Sequence, residues 1–281
     1  MVHQRLDPPV ARGNTSETYR WGEDAIVKVL RPGIPQEWAR REAETTRLVH
    51  AAGLPAPAVL DVTTVEGRPG IVFERIAGAS MWDEMLAQPR EIPRLAYLLA
   101  ELQARVNATR APAAIPKLVD RLRRKTREAP GLSSTERTAA LAVLDRQTPD
   151  HSLCHFDVHP NNVLMGPKQP IIIDWFDAAA GNPAADIVRS SLLMWSDAAA
   201  GHMPCVDPSL IDFVHHHYIA SVARIRDVDD GDLLEWEVAV MASRLAEPLP
   251  DSMRHATHEA LRALGSSRHT RLGLSLRRVT S

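Results

Sequence analysis

The chain has 281 residues, 44% hydrophobic and 24% charged, with a formal net charge of −2. That length suits a two-lobed unit or two small domains, and the near-neutral charge excludes a surface built to neutralise nucleic-acid phosphates. Two cysteines, Cys154 and Cys205, make no disulfide framework and fit a reducing, cytoplasmic setting. No run reaches the length of a membrane span and the N-terminus lacks an apolar leader, so no membrane partner is expected.

Residues 1–76 read as strands around one helix. Ala25–Leu30 is an apolar strand interrupted by Lys28, one of only four lysines. A desolvated ammonium needs an anion, and the following segment, helical from Glu37 to Ala52, offers Glu42 and Glu44. Period-two alternation would equally let Lys28 face solvent. Before this strand, Gly13, Asn14, Thr15 and Ser16 form a turn whose amides are able to approach phosphate oxygens, although an ordinary hairpin explains it as well. Residues 58–63 and 70–74 read as strands joined by a turn at Glu66–Gly70.

Residues 77–281 are mainly helical. Leu95, Leu98, Leu99, Leu102 and Val106 recur at helical spacing over Ile92–Val106. Ile115–Glu128 and Ser134–Arg146 are two further helices, the last beginning with Ser134 and Glu136 as an imperfect capping pair. Helices resume from Ala185 to Leu264. Between them stand His155-Phe156-Asp157-Val158-His159-Pro160-Asn161-Asn162 and the strand Ile171–Ile173, which ends in Asp174-Trp175. Apolar strands that deliver carboxylates at their ends suit divalent metal and phosphate. Phosphoryl transfer requires an acceptor hydroxyl aligned at a carboxylate and Mg²⁺ bridging the phosphates. Asp157 suits the first role, and Asn162 and Asp174 suit the metal. An alternative is a zinc-dependent hydrolase using His155, Asp157 and His159, which alternate along a strand.

The two motifs resemble those of the aminoglycoside phosphotransferase and choline kinase branch of the protein-kinase-like fold. The similarity extends to Lys28, Glu42, Gly53-Leu54-Pro55-Ala56-Pro57, Phe73–Gly78 and Asp186, covering about residues 10 to 190. It implies an α+β, bilobal protein-kinase-like fold, with a β-rich nucleotide-binding lobe at 1–76 and a larger helical lobe at 77–281. It implies ATP or GTP as donor with Mg²⁺, adenine on hinge backbone near Glu74 and Ile76, and Lys28 held by Glu42 on the α- and β-phosphates. Asp157 would be the catalytic base, Asn162 and Asp174 the metal ligands, and Asp186 a loop brace. Phe156 stands where the family usually carries glycine.

The acceptor is expected to meet the C-terminal helices, where acidic residues prevail from 205 to 251 and would attract a cationic small molecule. A solvated acidic loop accounts equally well for Asp227–Asp232. Asp177, Asp232, Glu235 and Trp236 are the candidate substrate contacts. An aminoglycoside or tuberactinomycin-type peptide antibiotic is the leading acceptor, and an amino-alcohol or sugar of primary metabolism the alternative. The run His215-His216-His217 reads as a solvated helix face.

Overall fold

In the computed structural model, which describes residues 7–200, 207–227 and 229–264, the early strands pair as one antiparallel sheet. It comprises β1 (Ala11–Arg12), β2 (Ser16–Arg20), β3 (Ala25–Leu30), β4 (Val59–Val65) and β5 (Arg68–Glu74), in the order β1-β2-β3-β5-β4. β3 is therefore the central strand. Its alternate residues divide between two faces. Val27 and Val29 pack with Tyr19, Val65 and Val72, whereas Ile26 and Leu30 pack with Ile71, Phe73, Ala39 and Ala43. The second face is covered by α1 (Gln36–Ala51), whose buried Ala39, Glu42, Ala43 and Thr46 recur at helical spacing. Lys28 shares the parity of Ile26 and Leu30, so it faces α1 and not solvent.

Residues up to 82 form one unit together with 161–177, and residues 83–160 with 178 onward form the other. The first unit thus takes a hairpin that a boundary at residue 76 assigns to the second. The hairpin is β7 (Val163–Met165) paired with β8 (Pro170–Ile172). It is tied back by a bridge from Leu164 to Ser80 and by the Met165 amide on the Ala79 carbonyl at 2.8 Å. Gly78 is required there, because a Cβ would lie 2.2 Å from the Met165 carbonyl oxygen.

The second unit is helical: α2 (Met81–Ala87, where the division falls), α3 (Ile92–Ala108), α4 (Leu118–Glu128), α5 (Ser134–Arg146), α6 (Pro183–Ala200), α7 (Pro208–Ile225), α8 (Asp230–Arg244) and α9 (Asp251–Leu264). One short strand pair, β6 (Leu153–Cys154) with β9 (Ala179–Ala180), interrupts it. α3 packs on α7, α7 on α6, and α6 on α8 and α9, around a leucine-rich interior. α4 begins three residues later than its apolar pattern implies, because Pro116 and Lys117 pair with Ala180 instead. α5 has a complete capping box, with Ser133 and Glu136 as the pair. The helix spans the residues expected from the sequence, and the cap is the residue just before them. No described helix is long and apolar enough to cross a membrane.

Glu247, just beyond α8, is the electrostatic centre of this unit. Its carboxylate meets Lys125 at 3.0 Å, Arg189 at 3.1 Å and Arg244 at 3.8 Å. Burial alone would raise its pKa, but Arg189, Lys125 and Arg244 outweigh burial and hold it down to about 2, from an ordinary 4.5. A depressed folded-state pKa adds stability that is present above the unfolded value and lost as pH falls through the folded one. The Glu247 contribution should therefore be complete above about pH 4.5 and disappear towards pH 2, amounting to roughly 3 kcal/mol at most. Glu247→Gln should remove that much stability at pH 7 in urea titrations. It should also flatten the stability loss between pH 4.5 and pH 2, and an unchanged acid limb would contradict the assignment.

Candidate active site

The first unit places three sequence-selected residues around one charge. Lys28 Nζ lies 2.7 Å from Glu42 Oε1 and 3.0 Å from Asp174 Oδ1, with the Lys28 side chain only 12% exposed. Burial by itself would lower the Lys28 pKa, but Asp174 and then Glu42 reverse this and keep the ammonium above its ordinary value. Glu42 shifts upward, driven first by burial and then by the Asp174 charge, with Lys28 opposing both. Glu42, not Glu44, is the partner: it lies on the buried face of α1 with Ala39 and Ala43. Those small side chains let the helix approach the sheet closely.

The hairpin fixes Asp174. In the β7–β8 ladder Val163 pairs with Ile172, and the Ile173 amide donates to the Asn162 carbonyl at 2.9 Å. Asn162 and Asp174 thus flank the same end of one ladder. The Ile172 amide donates to Pro55 O at 2.7 Å, which gives Gly53–Pro57 its role as an anchor for β8. Asp174 itself has φ +64°, a conformation that a non-glycine residue adopts at a cost of about 1 kcal/mol or more. Immediately after it, the buried Trp175 donates its indole N–H to Ile172 O at 2.8 Å. Phe176 stacks on Trp38 of α1 at 4.8 Å, and the Arg41 guanidinium lies 5.0 Å from the Phe176 ring centre. This clamp joins α1 to the Asp174 turn and was not legible as a motif. Its only sequence trace is that Trp38 precedes Glu42 by one helical turn. Asp177 closes the same short 3₁₀ turn in this unit.

Two further elements of the first unit bear on the reading. The Gly13–Ser16 turn is closed by the Gly13 amide on the Ser16 carbonyl at 2.9 Å. At the expected hinge, the Glu74 carboxylate accepts the Ala58 amide at 2.7 Å while the Glu74 amide donates back to the Ala58 carbonyl at 3.0 Å. The Arg75 amide is spent on Asp24 O at 2.8 Å. Among the described residues the Ile76 amide has no acceptor.

The second unit holds Asp157. The loop carrying it follows β6 and is gripped from beneath by Asp186 near the start of α6. One Asp186 oxygen accepts the Phe156 amide at 2.6 Å, and the other accepts from the Asn107 side chain at 2.8 Å. Asn107 also donates to Leu153 O at 3.0 Å, tying α3 to β6. Asp186 is fully buried. Asn107 had no local sequence signal. Phe156 has φ +65°, a left-handed conformation that glycine adopts without strain, in keeping with the glycine that the resemblance implies at this position. Phe156 is 2% exposed, with the Arg189 guanidinium 5.6 Å from its ring centre.

The zinc alternative does not fit these positions. His155 is fully buried, with Nδ1 accepting the Asp157 amide at 3.2 Å, so it cannot share an open face with Asp157 and His159. Among the described residues no three His, Cys, Asp or Glu side chains are grouped as metal ligands.

The candidate acceptor residues part company. Trp236 is 1% exposed, so its indole packs in the interior and forms no substrate wall. Glu235 is engaged by Arg146 at 3.0 Å and Gln147 at 3.3 Å. Asp232 lines a cleft of about 320 Å³ with Asp227, Asp229, Arg226, Asn182, Pro183 and Ala184. The histidine run is not uniformly solvated either. His215 is half-buried and hydrogen-bonded to Ser191 Oγ at 2.6 Å, and burial lowers its pKa to about 4.

A family model described as the phosphotransferase enzyme family, APH, matches residues 8–203. A search of curated proteins finds no match. Solved structures are similar along nearly the whole chain. A choline/ethanolamine kinase family protein from Mesorhizobium loti is 14% identical at a TM-score of 0.61, covering 99% of this chain and 94% of that one. A thermostable mutant of aminoglycoside phosphotransferase APH(4)-Ia, in ternary complex with AMP-PNP and hygromycin B, is 16% identical at 0.66, covering 97% and 95%. A GDP complex of an aminoglycoside 2'-phosphotransferase-IIIa mutant is 18% identical at 0.57, covering 95% and 93%. At such identities the likeness is one of fold, and the α+β, kinase-like fold expected from the sequence is the fold observed.

Phe156→Gly sets two effects against each other. Relief of the left-handed backbone should return about 1 kcal/mol, whereas losing a buried phenyl ring costs about 3–5 kcal/mol. The variant should therefore be destabilised by roughly 2–4 kcal/mol in chemical denaturation, and a variant as stable as the parent would show that strain dominates.

Proposed function

The chain belongs to the phosphotransferase enzyme family, and we propose that it transfers the γ-phosphate of ATP or GTP to a hydroxyl of a cationic small molecule. The observation that carries this reading is the Lys28 ammonium, held between Glu42 and Asp174 at 2.7 and 3.0 Å. A buried cation with two carboxylates on the inner face of a sheet is poorly suited to a merely structural role, since an apolar trio of the same volume would stabilise the fold as well or better.

In this reading the first unit holds the nucleotide. Lys28 meets the α- and β-phosphates, Glu42 keeps the ammonium in place, and the Gly13, Asn14, Thr15 and Ser16 turn lies along the phosphates. The backbone at Glu74 and Ile76 takes the base. Asn162 and Asp174 present hard oxygens, and the Asp174 side chain is 37% exposed while paired with Lys28. That donor set fits Mg²⁺, which takes few protein ligands and retains its waters. Bound there, the ion supplies positive charge for the phosphate oxygens. Asp157 orients the acceptor hydroxyl and accepts its proton as the oxygen bonds to the γ-phosphorus. The bond from that phosphorus to the bridging oxygen breaks, and the nucleoside diphosphate leaves.

The acceptor is assigned to the second unit. The cleft lined by Asp227, Asp229 and Asp232 favours a cation. We take an aminoglycoside or tuberactinomycin-type peptide as the first candidate, with resistance as its consequence. The similar structures include both a hygromycin B complex and a choline/ethanolamine kinase family protein, so an amino-alcohol or sugar is the second. Coupled release of ADP or GDP against aminoglycosides, peptide antibiotics, choline and sugars should single out one class, and turnover with neutral sugars alone would contradict the cationic assignment. Asp157→Ala should lower kcat on that acceptor by about 10²–10⁴-fold and leave nucleotide affinity within about twofold of the parent. Turnover close to that of the parent would remove Asp157 from the mechanism.

A further inference from the structure

The Gly13–Ser16 turn has a single glycine, yet its backbone is shaped by a residue outside it. Arg31 directly follows β3. Its Nε donates to the Asn14 carbonyl at 3.0 Å and its Nη2 to the Gly13 carbonyl at 2.9 Å. Its own amide donates to the Thr15 carbonyl at 2.9 Å. Three consecutive carbonyls are thereby drawn onto one residue.

In a planar trans peptide the C=O of one residue and the N–H of the next point in opposite directions. Gathering carbonyls 13, 14 and 15 on Arg31 turns the amides of Asn14, Thr15 and Ser16 away from it. The Asn14 and Thr15 amides have no acceptor among the described residues, while the Gly13 amide closes the turn on Ser16. Successive amides pointing to one side make a concavity that favours anions. Glycine-rich loops obtain such a conformation from backbone freedom. Here a guanidinium fork imposes it from behind, and the planar pair of N–H donors matches two neighbouring carbonyls in a way that a lysine ammonium cannot.

We propose that Arg31 is a positioning residue for the nucleotide phosphates, acting through the Gly13–Ser16 backbone, an inference that rests on the nucleotide reading given above. The guanidinium is occupied by the carbonyls and touches no phosphate; the amides it orients do.

Calorimetric titration of the full chain with MgATP, MgADP and adenosine tests this, with Arg31→Met and the charge-preserving Arg31→Lys as variants. Both should lose about tenfold in affinity for MgATP and MgADP. Adenosine, which carries no phosphate, should bind within about twofold of the parent. A uniform loss for all three ligands overturns the proposal, because it marks a general structural effect. Parental MgATP affinity in Arg31→Lys also overturns it, since charge without the fork then suffices, and so does parental affinity in Arg31→Met. A parent chain that binds no MgATP overturns the nucleotide reading itself, which is distinguishable from a parent that binds and variants that bind alike.

Discussion

The first unit is organised around the need of one buried ammonium for negative charge. Lys28 cannot be desolvated alone, and its two carboxylate partners come from different elements, Glu42 from α1 and Asp174 from the turn after β8. The single cation therefore couples a strand, a helix and a hairpin. The surrounding packing follows from that requirement. Ala39 and Ala43 are small enough to let α1 settle on the sheet, and Ile26, Leu30, Ile71 and Phe73 supply the apolar walls that keep water scarce around the charges. On the far side of Asp174, the Trp38–Phe176 stack with Arg41 holds the helix and the turn together without adding to the charge at the centre.

The second unit solves the inverse problem. Its organising group is a buried carboxylate, Asp186, satisfied mainly by neutral donors: the Phe156 amide and the Asn107 side chain. A carboxylate that accepts two short hydrogen bonds fixes direction as well as distance, which is what a loop with a left-handed residue at Phe156 requires. The strained conformations at Phe156 and Asp174 are alike in φ, at +65° and +64°, and each immediately precedes or coincides with a residue to which the phosphotransfer reading gives a role. Strain of this kind persists only where the surroundings determine the backbone more strongly than its own preference. In both places the determining contacts are visible: Asp186 beneath the first, and the β7–β8 ladder with Lys28 beside the second.

Much of this was legible because the relevant signals are local. Lys28 stands out as a charge within an apolar strand, Asp174 as a carboxylate ending one, and the His155–Asn162 string as a dense set of polar side chains. What the sequence left open was parity: whether Lys28 faced inward depended on which neighbours formed the two faces of β3, and only the pairing with β5 and α1 decides that. The less legible features depend on distant partners. Arg31 was silent because its task is performed on backbone carbonyls, and Asn107 because its partners lie 46 and 79 residues away. The division near residue 76 missed the return of 161–177 to the sheet-bearing unit, since a hairpin of two three-residue strands carries almost no pattern of its own.

The acidic stretch from 205 to 251 shows why a count of charges along a chain is a poor measure of the field a ligand meets. Asp207 and Asp229 spend their carboxylates on the first amides of α7 and α8. Glu247 is enclosed by three cations, Glu237 is fully buried and Glu235 is engaged by Arg146 and Gln147. Helix caps and internal ion pairs are satisfied by the fold before any ligand arrives, so they add little to an outward potential. Of the charges that remain, Asp227 and Asp232 line one cleft with the capping Asp229, and Arg226 lies beside them. An acceptor drawn to this cleft meets two or three carboxylates and one guanidinium. Under the proposal of a cationic acceptor, Asp227 and Asp232 are therefore the carboxylates left to meet it, with Asp229 committed to its helix and Arg226 opposing them.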